Sequence, residues 1–314
     1  MAALLHDIGH GPFSHVSDYL LDEYSTKEIL GSDTAPEKIH ERITIDIVKR
    51  HEEIATLLKD SEQDAIVDII EESSIRDHRR DIVSSTLDAD KIDYLLRDTY
   101  HTGVKYGIFD TEKVLDSFRV HRVGDESFLV IDEDGLFAVK QLVLAKHHMT
   151  QQVYAHRVRV ITDSMIVRGL RLAIEDGLTE IERLYSYDGT SDFIDRYLAS
   201  NDEKIVATLI NSSLERPKSL FKRLLDRRLY KELMMLPLDD HSVIDPIIRY
   251  RLMELSSESV SKLEIAIAEH IDCQPWEVIL QRKNIKTHRT MDRVKSTQAR
   301  SLSYHGTRRP LPGK

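Results

Sequence analysis

Hydrophobic residues recur along most of the chain at the three- and four-residue spacing of amphipathic helices. Three segments show this spacing: Ile43, Ile47 and Val48; Leu144, Met149 and Val153, where it is looser; and Ile161, Met165 and Leu170. Residues at these intervals lie on the same side of a helix, so each set would cover one face. The pattern therefore predicts a mainly α-helical fold.

One segment departs from this pattern. Residues 128–139 hold two runs of β-prone side chains on either side of Asp134-Gly135, a dipeptide that favours the positive φ angles of a hairpin turn. The sequence therefore predicts a small β-hairpin within the helical fold. Just before it, Asp110 is a candidate N-cap for a helix that carries Val114, Leu115 and Phe118.

The distribution of motifs and charge suggests three regions. Amphipathic helices continue after residue 191 without further clusters of metal-binding side chains, so we place a boundary near residue 185. This gives a core of residues 1–185, a helical C-terminal region of residues 186–281 and a basic tail of residues 282–314. The tail carries ten Lys or Arg and one acid, Asp292, although the whole chain has a net charge of -10. Such a tail is either a solvated, partly disordered end or a surface that binds nucleic acid or an effector nucleotide.

Composition narrows the class of protein. A chain of 314 residues with 41% hydrophobic and 31% charged residues is typical of a globular protein with a substantial core. No segment approaches the roughly 18 consecutive apolar residues of a membrane span, and the first residues lack the pattern of a signal peptide. We therefore expect a cytoplasmic protein that does not enter a membrane. The single cysteine, Cys273, excludes an internal disulfide.

The N-terminal residues form the first candidate site. Within fifteen residues the chain contains His6, Asp7, His10 and His15, and His6-Asp7 offers a metal ion one neutral nitrogen and one anionic oxygen. The Gly-His-Gly-Pro segment that follows cannot continue a helix, so we expect His10 on an exposed loop. The run is therefore interpreted as half of a metal site.

A second polar cluster lies about eighty residues later, between residues 85 and 101. On a helix, Asp90, Tyr94, Arg97 and Asp98 would share one face. This face is either a solvated surface with ordinary salt bridges or a wall of the same site, with Asp90 as a second carboxylate ligand. Imidazole and carboxylate ligands together suit a divalent ion such as manganese, magnesium or iron.

Both clusters resemble the HD-domain phosphohydrolases, in the branch of the deoxynucleoside triphosphate triphosphohydrolases. The resemblance spans roughly residues 3–170 and implies an HD-domain helical core with a small β-hairpin and a helical C-terminal region. It also implies metal-dependent hydrolysis of a dNTP to deoxynucleoside and triphosphate, with His6, Asp7 and Asp90 as metal ligands. The family's first ligand, a histidine upstream of the His-Asp pair, has no counterpart here, and we expect this chain to lack that N-terminal segment.

The resemblance assigns further roles. His10 would approach the α-phosphate, His15 would stand near the scissile bond, and His40 would be a proton donor. Two of these histidines have plainer interpretations: His15 as a hydrogen-bond donor of the loop, and His40 as an ordinary polar residue at a helix start. Histidine nonetheless suits proton transfer at neutral pH.

The substrate-binding positions of the family also have counterparts. Lys91, Tyr94 and Asp98 match residues that contact phosphate and sugar, and Lys146 stands where the family has a phosphate-binding arginine. Tyr154 would pack beneath the deoxyribose and exclude a 2′-hydroxyl, although tyrosine is also common in helix cores.

The sequence is also compatible with other functions. The chain could be another HD nucleotidase or phosphodiesterase, since a fold alone does not select a reaction. It could also be a catalytically impaired, nucleotide-binding regulatory protein. The resemblance further implies a homo-oligomer.

Overall fold

The computed structural model describes residues 1–26, 39–71, 77–236, 238 and 245–281. Within them the chain is mainly α-helical with a small two-stranded hairpin, as predicted. The described residues divide into two compact units: the first lies within residues 1–3 and 68–156, and the second within residues 4–67 and 157–281. The predicted boundary near residue 185 falls inside the second unit, and the three-region division stays a prediction. The basic tail, 282–314, lies outside the described residues.

The N-terminal part of the chain is helical. It contains α1 (Ala2–Leu5), α2 (His15–Tyr24), α3 (Ile39–Arg50), α4 (Glu52–Leu57) and α5 (Asp60–Ile70). In α3 the predicted apolar face is buried, with Ile43, Ile47 and Val48 at 1% exposure or less.

The first unit is built around α7. Its elements are α6 (His78–Val83), α7 (Ala89–Thr102), α8 (Thr111–Asp116), β1 (Phe118–Val123), β2 (Glu126–Ile131) and α9 (Leu136–Met149). The Asp88 side chain caps α7 through the Lys91 N–H, and the predicted cap Asp110 accepts from the Lys113 N–H at 3.0 Å. Leu95, Leu142 and Met149 are fully buried where α7 and α9 pack together. Leu144, expected on the same buried face as Met149, is instead 44% exposed.

The hairpin forms at a different place from the one predicted. β1 and β2 pair antiparallel, with Phe118 opposite Ile131, and Gly124-Asp125 makes the turn. Asp134-Gly135 lies instead in a short 3₁₀ turn that leads into α9. Gly135 is needed there for close packing, because a Cβ atom would lie 2.1 Å from the Cβ of Ser117.

The second unit holds the larger core. Its later elements are α10 (Arg157–Glu175), α11 (Thr179–Tyr185), α12 (Ser191–Leu198), α13 (Asp202–Asn211), α14 (Glu215–Leu225), α15 (Pro246–Met253) and α16 (Ser257–Ile271). Apolar side chains of α2, α3, α10 and α12 form one buried cluster, which includes Leu21, Ile43, Leu170 and Phe193. No helix of the described residues is long and apolar enough to cross a membrane.

Candidate active site

Residues 6–14, here called the His-Asp loop, connect α1 to α2 and are held from α3. The hydroxyl of Thr44 donates to the carbonyl of His6 and accepts from the N–H of Gly9, both at 2.9 Å. Gly9 fits only because it lacks a side chain: a Cβ atom would lie 2.1 Å from the carbonyl oxygen of His40. The loop is therefore fixed against the first turns of α3.

The end of the His-Asp loop has an uncommon backbone conformation. Phe13 and Ser14 have φ angles of 64° and 52°, which L-residues rarely adopt. The Phe13 N–H donates to a carboxylate oxygen of Asp202 at 2.8 Å, and the Ser14 N–H donates to the carbonyl of Gly11 at 2.8 Å. These bonds hold the chain in the sharp turn that precedes α2.

Three predicted site histidines gather around one carboxylate, Asp18 of α2. Their Nδ1 atoms lie 3.4 to 3.5 Å from its oxygens, with His10 on one oxygen and His15 and His40 on the other. The rings of His10 and His40 stack with centroids 3.9 Å apart, and His15 meets His10 edge-on at 4.4 Å.

Electrostatics couples Asp18 to these histidines. Burial alone would raise the pKa of Asp18, but the close contacts with His10, His15 and His40 hold it well below its usual value. The hydrogen bond to Asp18 raises the pKa of His15, against the opposing effect of burial. The cluster therefore keeps an anion at its centre and favours a protonated His15.

The structure corrects the expected exposure of His10. The residue lies on a loop, as predicted, but its side chain is only 9% exposed, whereas that of His15 is 70% exposed. A cleft of about 310 Å³ opens beside it, lined in part by Pro12 and Tyr197. The ring was expected in solvent because Gly-His-Gly-Pro indicates a loop, but this loop is covered by α3 and α12.

The His-Asp pair and its neighbours fit a metal ion. His6 Nε2 and Asp7 Oδ1 are 3.3 Å apart, and ligand atoms of Asp7, His10 and His40 lie within 4.8 Å of one another. Apart from their 3.5 Å contacts with Asp18, the ring nitrogens of His10 and Nδ1 of His40 are buried without a well-formed hydrogen bond among the described residues, which is costly unless a ligand satisfies them. Imidazole and carboxylate donors together suit manganese, iron or magnesium. Asp90, the third predicted ligand, is half-buried in the first turn of α7, in the other unit.

The first unit gathers two predicted phosphate-binding residues. Lys91 Nζ contacts the buried carboxylate of Asp88, which also caps α7. Burial lowers the pKa of Lys146 on α9, and the nearby charge of Lys91 lowers it further. Two lysines held this close together favour a bound anion that relieves their repulsion.

The predicted sugar-binding residues also meet in this unit. Tyr154 donates a hydrogen bond of 2.8 Å to Asp98, and its ring packs edge-on against Tyr94 with centroids 5.8 Å apart. Burial raises the pKa of Tyr94, and the charge of Asp90 adds to the effect. Tyr154 ends a π-helical turn, Thr150–Tyr154, in which the Ala155 N–H reaches the Thr150 carbonyl at 2.7 Å.

Comparison with known families decides the classification. The family model of the HD domain matches residues 1–98, and that of the HD-associated region matches residues 109–304, more than half of the chain. The chain belongs to this family of HD-domain proteins. The match confirms the predicted membership of the HD phosphohydrolase superfamily.

Relatives of this HD-domain protein are distant. An uncharacterized protein of Methanocaldococcus jannaschii is 28% identical over 283 residues, which cover 89% of this chain and 52% of the relative. The deoxynucleoside triphosphate triphosphohydrolase SAMHD1 of Homo sapiens is 23% identical over 258 residues, which cover 74% of this chain and 41% of SAMHD1. The chain thus spans about half the length of these curated relatives or less.

A solved structure supports the fold. The crystal structure of a phosphohydrolase from Bacteroides thetaiotaomicron superposes with a TM-score of 0.60 at 21% sequence identity. The match covers 88% of this chain and 64% of that protein. At this identity the similarity shows the HD-domain fold alone.

Three residues at the site of this HD-domain protein were not predicted from the sequence. Asp18 follows His15 by three residues, a spacing that places both side chains on the same side of a helix and could have identified it. Thr44 and Tyr197 resemble ordinary helix-core residues, and nothing local in the sequence indicates their contacts with the His-Asp loop. Only the fold brings them to it.

Proposed function

We propose that this protein is a metal-dependent phosphohydrolase that converts a dNTP to deoxynucleoside and inorganic triphosphate. The observation that carries the proposal is the cluster of three histidines around the half-buried Asp18, next to the His-Asp pair. The structure of this cluster supports phosphate-ester hydrolysis, because it offers groups that can bind an anion and move a proton within a few ångströms.

His6 and Asp7 are the proposed metal ligands of the His-Asp loop. The resemblance assigns Asp90 to the same ion. A bound divalent ion would lower the pKa of water and neutralise charge on the phosphate. Manganese, magnesium and iron are all compatible with these donors.

The histidines have separate tasks in the proposed reaction. His10, whose ring nitrogens make no well-formed hydrogen bond among the described residues, is placed to donate to an α-phosphate oxygen. Asp18 orients His15 and His40, so that either ring is placed to protonate the departing 5′-oxygen of the deoxynucleoside. The raised pKa of His15 suits this role at neutral pH, because a larger fraction of the ring then carries the proton.

The nucleotide would be held by the residues around α7. Lys91 and Lys146 are the proposed contacts for the triphosphate, and Tyr94 and Asp98 those for the sugar. Tyr154, fixed by its bond to Asp98, would pack against C2′ and exclude ribonucleotides. The names of similar proteins such as human SAMHD1 support a deoxynucleotide substrate.

A product assay tests the proposal. The purified protein is incubated with each of the four dNTPs and manganese, and products are separated by anion-exchange chromatography. We expect deoxynucleoside and triphosphate, abolished in the Asp7→Asn variant and retained in a control, His121→Ala, on the exposed strand β1. Release of dNMP and pyrophosphate would refute the triphosphohydrolase assignment. An inactive protein that binds dNTP but no metal would indicate the regulatory alternative.

The proposed function also includes an oligomeric state and a ligand for the basic tail. We expect a homo-oligomer, with the basic tail, residues 282–314, contacting an effector nucleotide or nucleic acid. Light scattering with and without dGTP, on the full chain and on a chain ending at residue 281, tests both expectations. A monomer under all conditions would contradict the first, and identical behaviour of the two chains would contradict the second.

A further inference from the structure

His10 lies between two glycines that are held on opposite sides. Gly9 packs against α3, where its N–H bonds to Thr44. Gly11 faces α12, and a Cβ atom there would lie 2.4 Å from the hydroxyl of Tyr197. The ring of His10 stacks on His40 and lies 3.5 Å from Asp18, but neither of its nitrogens makes a well-formed hydrogen bond among the described residues, so the backbone also helps to set its direction.

The hydroxyl of Tyr197 holds both peptide groups next to His10. It donates to the carbonyl of Gly9 at 3.1 Å and interacts electrostatically with the backbone N–H of Gly11. One oxygen atom therefore bridges the two peptide groups that flank the histidine. A shift of Tyr197 would carry the Cα of His10 with it.

Tyr197 is itself rigid. Its side chain is 3% exposed in the core of the second unit, and its ring stacks on Phe193 with centroids 5.0 Å apart. Burial raises its pKa well above the usual value, and the nearby charge of Asp18 adds to the effect, so the hydroxyl keeps its proton. It remains a hydrogen-bond donor throughout the working range of pH.

We propose that Tyr197 is a positioning residue that fixes the imidazole of His10 by bridging the peptide groups of Gly9 and Gly11. The proposal rests on the proposed function in one respect, namely that His10 contacts the phosphate. The hydroxyl of Tyr197 bonds to the backbone of the His-Asp loop and acts through the histidine. Its place in α12, some 190 residues from the loop, explains why no local motif reveals it.

The matched pair of variants is Tyr197→Phe and Tyr185→Phe. Both tyrosines are buried in the same core, but the hydroxyl of Tyr185 has no hydrogen-bond partner among the described residues. Each variant keeps its ring and opens no cavity, so both should fold. In Tyr197→Phe we expect the Gly11 amide to exchange its hydrogen about tenfold faster, because local opening becomes easier. In Tyr185→Phe the rate should stay within twofold of the wild type.

Kinetics then separates positioning from simple stabilisation. Hydrolysis of dGTP with manganese should lose about 10- to 100-fold in kcat in Tyr197→Phe, with a much smaller change in KM, as expected for a misplaced group. In a His10→Ala background the same substitution should change kcat less than twofold, because its effect passes through the missing ring. An equal loss in both backgrounds would overturn the proposal.

Failure of the proposed function would look different. If the wild-type protein releases no triphosphate from any dNTP, the proposed function falls and amide exchange alone decides the role of Tyr197. Faster exchange confined to Gly9 and Gly11 in Tyr197→Phe would then support the bridge. Unchanged exchange at both amides would overturn it.

Discussion

Replacing Thr44 by valine tests how the His-Asp loop is held. The variant keeps the branched shape of a fully buried side chain but removes the hydroxyl that contacts His6 and Gly9. The Gly9 N–H then lies buried without a partner, which costs about 1–3 kcal/mol, and the more accessible His6 carbonyl loses about 0.5–1.5 kcal/mol. The buried methyl group that replaces the hydroxyl stabilises the folded protein by about 0.8 kcal/mol. We expect a net loss of about 1–3 kcal/mol in the free energy of unfolding.

The control is Thr44→Ser, which keeps the hydroxyl and loses a buried methyl group. It should cost about 1 kcal/mol, so urea denaturation alone does not separate the two variants. Amide exchange does, because the Gly9 N–H remains bonded in the serine variant and becomes unprotected in the valine variant. Calorimetric titration with manganese should likewise show about tenfold weaker binding for Thr44→Val only, as is typical when residues supporting a metal site are changed.

The result that refutes the reasoning is specific. If the Gly9 amide is equally protected in both variants and manganese affinity is the same, the hydroxyl does not hold the loop. A large loss of stability in Thr44→Val with unchanged amide exchange would mean that the stability is lost through other contacts of α3 in the core.

Three further predictions concern other contacts of the site. In Asp18→Asn the pKa of His15, followed by NMR, should fall towards its ordinary value. The stabilisation from the Asp18–His15 pair is present below the unfolded pKa of about 6.5 and is lost as pH rises through the raised folded pKa. The difference in stability between the variant and the wild type should therefore narrow above neutral pH. Gly9→Ala should lower the thermal midpoint, with a loss of about 1–3 kcal/mol, because its Cβ meets a carbonyl oxygen of α3; an unchanged midpoint would contradict the packing. Tyr154→Phe should lose about 1 kcal/mol in urea denaturation through its missing bond to Asp98, and no loss would mean that water replaces that bond at no cost.

Helix positions could be predicted because they follow from local periodicity, whereas the hairpin could not. β1 leaves every residue after Phe118 exposed, so it lacks the alternation of apolar and polar side chains that marks a half-buried strand. Asp134-Gly135 has the composition of a hairpin turn, but Gly135 is required for its contact with Ser117. A glycine that serves close packing looks the same in the sequence as one that serves a turn.

The residues of the candidate site could also be predicted from the sequence only in part. His6, Asp7, His10 and His15 are recognisable because they are neighbours in the sequence, and the short spacing to Asp18 contains enough information to find it. Contacts that link distant segments, such as that of Tyr197, depend on tertiary packing and leave no local periodicity. The motif therefore indicates the chemistry, while the groups that hold the motif become visible only in the fold.

The π-helical turn before Ala155 determines which way Tyr154 faces. In a continuous α-helix, eight residues at about 100° each would leave Tyr154 about 80° away from Lys146 around the axis. One extra residue in the widened turn makes the interval equivalent to about seven helical steps, and the two side chains then differ by only about 20°. By this geometry, the local insertion in the helix brings the lysine and the tyrosine towards the same side of its axis. In a relative whose helix is regular at this point, residues with the same two tasks should be separated by seven positions instead of eight.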